Sequence, residues 1–123
     1  MAELAKSNPR FIKSGSSKIE GGSAALFVYD FSPNHAYYTK VPDEFFHFHA
    51  AAEGSAHAFL SATDASLVIE RGWAERHSLA GRGLGIPSTY VMIFAPRNDE
   101  EVDTVIMIAK AAARYALEGK AIN

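Results

Sequence analysis

Hydrophobic residues are concentrated in four dense runs along the chain, each bounded by polar or turn-forming residues. The runs cover residues 24–29, 44–50, 55–61 and 89–94, and aromatic or β-branched side chains recur in them. Such short runs are typical of β-strands. The last is almost continuously apolar, which predicts a strand in the interior of a sheet.

Two other segments repeat their hydrophobic residues at helical spacing. The first covers residues 65–71, with Ser61 or Thr63 as its N-cap and Gly72 placed to end it. The second begins after Asn98, and three acidic residues follow where the helix dipole favours negative charge. The apolar face that we expect to pack on the sheet consists of Val102, Val105, Ile106, Ala109, Ala112, Ala113 and Ala116.

The order of these elements, β-β-β-α-β-α, predicts an α+β fold. We expect an antiparallel or mixed sheet of about four to five strands, with two helices packed on one face. Residues 23–119 are predicted to form this single domain, since the sequence contains no internal repeat. Residues 1–22 have no clear hydrophobic period and are predicted to be a loosely ordered lead-in, with a short edge strand near residues 11–13.

The composition excludes several classes of function. Of the 123 residues, 48% are hydrophobic and 21% are charged, the balance of a globular protein. Cysteine is absent, so disulfides and thiolate chemistry are excluded, and a metal site must use histidine or carboxylate ligands. The net charge of −2 argues against a nucleic-acid partner. No apolar stretch resembles a secretion signal or a membrane span, so we expect a cytoplasmic protein without a membrane partner.

Residues 44–61 are predicted to form a β-hairpin that carries three of the five histidines. Because side chains alternate between the faces of a strand, Phe45, His47 and His49 should share one face. The other face of that strand is wholly apolar and is assigned to the core. It consists of Phe46, Phe48 and Ala50.

The face occupied by His57 depends on the length of the hairpin loop. A three-residue loop places Gly54 in the left-handed position of a type I turn with a G1 bulge. This register pairs His49 with His57 and His47 with Phe59, so that all three histidines share a face. A loop of two or four residues would send His57 to the opposite face. The glycine favours the three-residue loop.

Three histidines on one sheet face suggest two kinds of chemistry. They could bind one divalent metal (zinc, iron, manganese or copper) and leave a coordination position open for water. Without a metal, they could transfer protons, because imidazole titrates near neutral pH. The alternative is a solvated face on which histidines are merely tolerated. Phe45 and Phe59 would form the walls of a ligand pocket beside the histidines.

Three residues outside the hairpin are further candidates. His77 lies in a polar loop and could act as a fourth ligand or a general acid. Arg97 could bind a substrate carboxylate or phosphate, or it could pair with Asp99 or Glu101. Trp73 is either a core residue or a stacking platform for a ligand.

Four sequence blocks resemble the motifs of a known family. Residues 44–49 and 54–60 are similar to E-F-x-H-x-H and G-S-x-H-x-x-L. Residues 72–81 are similar to G-W-x-E-x-H-P-L-A-G, with Ser78 in place of the usual proline, and residues 90–97 to Y-V-M-[IV]-Y-A-P-R. In this order, the blocks resemble the DUF5519 family of bacteria and fungi, often labelled "luciferase domain".

The resemblance covers residues 44–118 and implies a set of site residues without implying a particular reaction. The residues to which it points are His47, His49, His57, Trp73, Glu75, His77 and Arg97. Hydrolysis, hydration, isomerisation and decarboxylation all remain open.

Our first hypothesis is a small-molecule enzyme with a histidine-centred site, either metal-binding or acid/base, on the hairpin. The predicted catalytic residues are His47, His49, His57, His77 and Glu75. The predicted metal ligands are His47, His49 and His57. The predicted substrate-binding residues are Arg97, Phe45, Phe59 and Trp73.

Two alternatives belong to other classes of function. The first is a non-catalytic module that binds a small molecule or a partner protein with the same histidine and aromatic face. The second is an interaction domain in which an exposed strand at residues 24–29 pairs with a second copy to form a homodimer. A shared histidine site requires His57 to lie on the same face as His47 and His49.

Overall fold

The computed structural model describes residues 2–19, 21–29, 43–49, 54–78, 80–82 and 86–118. This part of the chain forms one open, antiparallel, six-stranded sheet with three helices, which confirms the α+β class with more strands than predicted. The strands are β1 (Ile12–Ser16), β2 (Ala24–Val28), β3 (Glu44–Phe48), β4 (Ala56–Phe59), β5 (Ala74–Arg76) and β6 (Tyr90–Ile93). The helices are α1 (Ala2–Ser7), α2 (Ala62–Glu70) and α3 (Asp99–Ala116).

The strands are arranged in the order β1-β2-β3-β4-β6-β5. The first four form a meander, and β6 then lies between β4 and β5 because the chain crosses over through α2. β2 is hydrogen-bonded to a strand on each side. The prediction of an exposed strand at residues 24–29 is therefore wrong, since β2 is paired on both sides, and a homodimer itself stays a prediction.

The N-terminal segment is more regular than the sequence predicts. The edge strand expected near residues 11–13 is present as β1, and it follows the helix α1, which hydrophobic periodicity did not reveal. Leu4 of the helix and Ile12 of the strand are 5% and 2% exposed and belong to the main core. This segment therefore contributes directly to the packing of the domain.

The short strand β5 ends directly before His77, in a region that the sequence predicts to be a polar loop. Only its first residue, Ala74, is buried, and Glu75 and Arg76 are exposed. Three residues with this pattern are too few to show a hydrophobic period. The strand forms because β6 offers an edge to which it can pair.

Both longer helices begin at the predicted caps. The Ser61 hydroxyl accepts a hydrogen bond from the Asp64 backbone N–H at 3.1 Å, at the start of α2. The Asn98 side chain accepts from the Glu101 N–H at 2.9 Å, at the start of α3. Gly72, with φ +81°, follows the end of α2, where a left-handed backbone conformation favours glycine.

One face of the sheet packs against the helices to form the main core. α3 lies on β3 and β4. The side of the helix that faces these strands includes Ala109, Ala112 and Ala113, each of which is fully buried. Small side chains allow this helix to approach the strands closely. Val102, predicted to belong to the same face, is instead 41% exposed. None of the helices within the described ranges is long and apolar enough to cross a membrane.

The opposite face of the sheet is also buried at its centre. Side chains from β2, β3, β4 and β6 alternate away from the helices and are shielded from solvent there. They are Ala25, Phe27, Glu44, His47, His57, Phe59 and Tyr90. The buried polar side chains on this second face of the sheet form the candidate site.

Candidate functional site

The hairpin formed by β3 and β4 places His47 directly opposite His57. The His49 N–H donates to the Ser55 carbonyl at 2.9 Å. Five residues of the sequence, 50–54, therefore lie between the two hydrogen-bonded residues at the end of the hairpin. The predicted register is wrong, because it assumed a three-residue loop. The observed pairing differs by two positions, which preserves the faces, and the prediction that the three histidines share one face is confirmed. Gly54 has the predicted positive φ, at +94°.

A β-bulge in β3 changes which side chains accompany the histidines. Leu26 of β2 pairs with Phe46, whereas the next residue, Phe27, pairs with Glu44. The additional residue, Phe45, is 2% exposed and belongs to the main core. The prediction that Phe45 lies beside His47 is therefore wrong, because the bulge interrupts the alternation on which it relied. The same bulge brings Glu44 to the histidine face.

His57 is the centre of a cluster of four imidazole rings. The centroid of its ring lies 5.0 Å from that of His47, 5.4 Å from that of His49 and 5.1 Å from that of His77, all in edge-to-face arrangements. His47 and His57 are 1% and 4% exposed, whereas His49 and His77 are only partly buried. The cluster thus has a buried centre and two flanking rings that solvent can reach.

Tyr90 links the two buried histidines. Its hydroxyl oxygen lies 3.4 Å from Nε2 of His47 and 3.2 Å from Nδ1 of His57. The ring is 3% exposed and stacks on Phe59 at a centroid distance of 4.2 Å. The sequence pattern does not point to this tyrosine, because only the pairing of β6 with β4 brings it beside the hairpin.

Glu44 is a second residue at the site that the sequence pattern did not predict. Its carboxylate is fully buried, and Oε2 lies 3.0 Å from Nδ1 of His47. Oε2 also accepts from the Ser17 hydroxyl at 2.6 Å, and Oε1 accepts from the Lys18 backbone N–H at 2.7 Å. Burial alone would raise the pKa of Glu44, but the hydrogen bonds from His47, Ser17 and Lys18, together with the charge of His47, lower this pKa below its usual value.

The loop that follows β5 brings His77 into the cluster. The His77 N–H donates to the Tyr90 carbonyl at 3.0 Å and extends the pairing of β5 with β6. Its ring lies 4.8 Å from that of Tyr90. Glu75 pairs with Met92, which in turn pairs with His57, so Glu75 shares the histidine face although its side chain is exposed.

Trp73 and Arg97 are located elsewhere. Trp73 is half-buried against the main core, and both residues line a cleft of about 310 Å³ beside the N-terminus of α3 that contains none of the histidines. The guanidinium of Arg97 donates to both carboxylate oxygens of Glu101, with Nη2 at 2.8 Å, and its side chain is 83% exposed. Of the two roles considered for Arg97, the ion pair with the helix is the one present in this structure.

Nε2 of His47 and Nδ1 of His57 both lie beside the Tyr90 hydroxyl, and Nδ1 of His47 lies beside Glu44. Among the described residues, no three histidine or carboxylate side chains are grouped in a way that could hold a metal ion. Polar contacts run from the buried carboxylate of Glu44 through His47 and Tyr90 to His57, and the rings of His49 and His77 lie 5.4 and 5.1 Å from that of His57. Such a series is suited to proton transfer.

Comparisons with known proteins agree with the position of this site. The family model described as Luciferase domain matches residues 42–112, which include all four clustered histidines, Glu44 and Tyr90. The luciferases of Armillaria gallica and Neonothopanus nambi are 38% and 37% identical to the chain over 84 residues. No solved structure gives a significant match.

The shared region is only part of those relatives. It comprises 68% of this chain but 32% of each fungal luciferase. The resemblance inferred from the motifs is confirmed at the level of the luciferase domain, and the narrower DUF5519 designation stays a prediction. Because the family model matches more than half of the sequence, the chain belongs to the luciferase-domain family.

Proposed function

We propose that this domain is a small-molecule enzyme in which the histidine cluster transfers protons to and from the substrate. The observation that carries the proposal is the arrangement around His57, where three other imidazoles and the Tyr90 hydroxyl surround one buried ring. Buried polar groups are costly unless they are paired, and a sheet face of this size could have been filled with apolar side chains. The presence of histidines on this sheet face, in place of apolar side chains, therefore favours a chemical role.

The exposures of the four histidines indicate how the roles are divided. His49 and His77 flank the centre and are partly exposed, so they are the groups that a substrate would meet first. His57 lies between them and connects them to the buried groups. Two accessible imidazoles near one buried base allow a proton to be removed at one position and returned at another. Isomerisation, hydration, hydrolysis and decarboxylation all use such a pair.

We prefer acid–base chemistry to metal-assisted chemistry because of the directions of the ring nitrogens. His47 and His57 direct nitrogens at a shared hydroxyl group, which is an arrangement for hydrogen bonding. The distances of 3.2 and 3.4 Å exceed the roughly 2.8 Å of a strong hydroxyl bond, as is common in catalytic sites before substrate is bound. A divalent metal held by His47, His49 and His57 is the competing proposal, and metal analysis distinguishes the two.

The names of the relatives support an enzymatic function. The fungal proteins are called luciferase, the name of a class of enzymes, and the luciferase-domain match at residues 42–112 contains the whole cluster. Since the chain spans about a third of their length, light emission is not part of the proposal. The proposal concerns proton transfer within the shared region.

The experiment that tests this function is proton exchange into a panel of small carbonyl acids in D2O, followed by NMR. Wild-type protein is compared with His57→Gln, and with His35→Gln as a control, because His35 is the one histidine of the sequence outside the family match. We expect exchange by the wild type and the control, and a loss of about 10²-fold or more in His57→Gln. Equal exchange in the His57 variant, with both proteins folded, contradicts the proposal.

Metal analysis of untagged protein, beside a His49→Ala variant, is the companion measurement. Acid–base chemistry predicts no stoichiometric metal in either protein. Stoichiometric zinc, iron, manganese or copper that is present in the wild type and absent from the variant would contradict acid–base catalysis and support metal-assisted catalysis at the same cluster. Ligand binding without any proton exchange would instead support the non-catalytic binding module.

A further inference from the structure

Glu44 occupies an unusual position for a glutamate, at the buried centre of a sheet. Its side chain is fully buried, and its two oxygens together contact Ser17, Lys18 and His47. Both the Ser17 hydroxyl and the Lys18 N–H donate to the carboxylate, which as an ionised group can only accept. The lowered pKa of Glu44 agrees with an ionised group at neutral pH.

An ionised carboxylate determines which nitrogen of His47 carries the proton. Nδ1 lies 3.0 Å from Oε2 of Glu44, so the favoured neutral tautomer has its proton on Nδ1. Nε2 of His47 is then an acceptor, and the Tyr90 hydroxyl is the group placed to donate to it. Each step follows from the fact that the carboxylate has no proton to offer.

The hydrogen bonds from Glu44 to His47 and from His47 to Tyr90 form a hydrogen-bond chain, and the direction of donation in this chain continues from Tyr90 to His57. A phenol has a single proton, so a hydroxyl that donates to His47 must accept from its other partner. That partner is Nδ1 of His57, at 3.2 Å, which therefore carries a proton. In a neutral imidazole the remaining nitrogen, Nε2 of His57, then carries no proton.

We propose that Glu44 is a positioning residue that sets the direction of this hydrogen-bond chain and thereby makes Nε2 of His57 the proton acceptor of the site. This inference deepens the proposed function and rests on it for its catalytic meaning. When Nε2 accepts a proton from the substrate, the new positive charge is balanced through Tyr90 and His47 by the buried carboxylate. The substrate class is thus a neutral or weakly acidic molecule that gives up a proton.

Two of the three groups that hold Glu44, Ser17 and Lys18, come from outside the family match. Ser17 and Lys18 follow β1, whereas the match begins at residue 42. The N-terminal segment therefore contributes to the site as well as to the core. Ser17→Ala removes one donor without removing the carboxylate, so we expect the tautomers of His47 and His57 to be unchanged in that variant.

The test is direct observation of the tautomers in the intact, ¹⁵N-histidine-labelled protein by long-range ¹H–¹⁵N NMR, at a pH where the imidazoles are neutral. A ring nitrogen that carries a proton is resolved from one that does not. In the wild type we expect the proton on Nδ1 of both His47 and His57. If Nε2 of His57 carries the proton in the wild type, the inference is overturned without recourse to any variant.

Two variants then test the role of Glu44. In Glu44→Gln the amide oxygen can remain on the Lys18 N–H, which turns the amide N–H2 group towards His47, so we expect both His47 and His57 to exchange their Nδ1–H for Nε2–H. In Tyr90→Phe the chain is cut, so His47 should keep its tautomer while the preference of His57 is lost. Glu101→Gln, which changes a carboxylate that pairs with Arg97, should leave all the tautomers unchanged.

The outcomes separate this inference from the proposed function. If Glu44→Gln changes His47 but leaves His57 unaltered, Glu44 acts only locally and the inference is wrong, whatever the activity. If both tautomers change as expected but His57→Gln retains full proton exchange, the chain exists and the proposed acid–base function is wrong. Should Glu44→Gln fail to fold, the wild-type tautomers and Tyr90→Phe still decide the question.

Discussion

Replacing Glu44 by glutamine is the substitution whose effect on stability the structure predicts most sharply. The change retains the size of the side chain but removes its charge. The buried carboxylate accepts from the Ser17 hydroxyl and the Lys18 N–H and contacts Nδ1 of His47, at 2.6 to 3.0 Å. The variant therefore reports the contribution of a fully buried charge rather than that of packing.

The expected magnitude follows from the number of these contacts. A hydrogen bond to a charged group contributes about 1.5–3 kcal/mol, and a neutral one about 0.5–1.5 kcal/mol. Loss of the charge therefore costs about 1 kcal/mol for each of three contacts, and relief of the desolvation penalty returns part of that. We expect Glu44→Gln to lower the free energy of unfolding by about 2 kcal/mol, and Glu44→Ala by about 3–5 kcal/mol because three donors lose their partner.

The pH dependence of this difference has a definite sign. Because the pKa of Glu44 is lower in the folded protein than its ordinary value of 4.5, its contribution to stability is present above that pH. The contribution is lost as the pH falls through the folded-state pKa. The gap in stability between wild type and Glu44→Gln should thus persist down to about pH 5 and shrink below pH 4.5.

Urea denaturation at several pH values measures this gap. For an unfolding slope of roughly 2 kcal/mol per molar urea, the expected loss moves the midpoint by about 1 M. The control is Glu101→Gln, whose carboxylate also accepts several hydrogen bonds, but from the exposed Arg97, so its midpoint should hardly change. Equal midpoints for wild type and Glu44→Gln at neutral pH, or a gap that grows below pH 4.5, would refute the assignment of Glu44 as a buried ionised group.

Three further substitutions test other parts of the structure. Tyr90→Phe should lower the free energy of unfolding by about 1–3 kcal/mol, since two buried imidazoles lose their shared partner, and an unchanged urea midpoint would argue against these hydrogen bonds. Gly54→Ala should cost about 1–2 kcal/mol, because φ is +94° and the added Cβ would lie 3.3 Å from that of Ala95; a stability gain contradicts this backbone conformation. Asn98→Ala should cost about 1 kcal/mol in thermal unfolding, with Asn98→Asp as the control that retains the cap.

Local sequence patterns were sufficient to predict the elements that carry their own determinants. The caps Ser61 and Asn98 and the glycine after α2 define both longer helices, and the alternation within 44–61 identifies the hairpin. The shared face of the three histidines was also predictable, because a two-residue error in register does not change the face. These features depend on residues that are neighbours in the sequence.

Pairing between distant segments accounts for what the sequence did not predict. The bulge that buries Phe45 and turns Glu44 towards His47 arises where β3 pairs with β2. The sequence of residues 44–48 alone does not predict this bulge. Tyr90 enters the site only because β6 inserts between β4 and β5. A pattern of alternation read along one strand gives the faces of that strand, but not the residue at which a neighbouring strand changes them.

One face of the sheet packs against the helices, and the other face carries the histidine cluster. On one face, alanines of α3 such as Ala109 and Ala112 allow the helix to pack closely against β3 and β4. Because those strands are interior and hydrogen-bonded on both sides, the side chains on their other face have little freedom to shift. Well-packed strands hold side chains in position more accurately than loops do. The precise spacing from Glu44 to His57 is therefore a consequence of apolar packing on the far side of the sheet, which is why we expect core substitutions in α3 to alter the cluster without touching it.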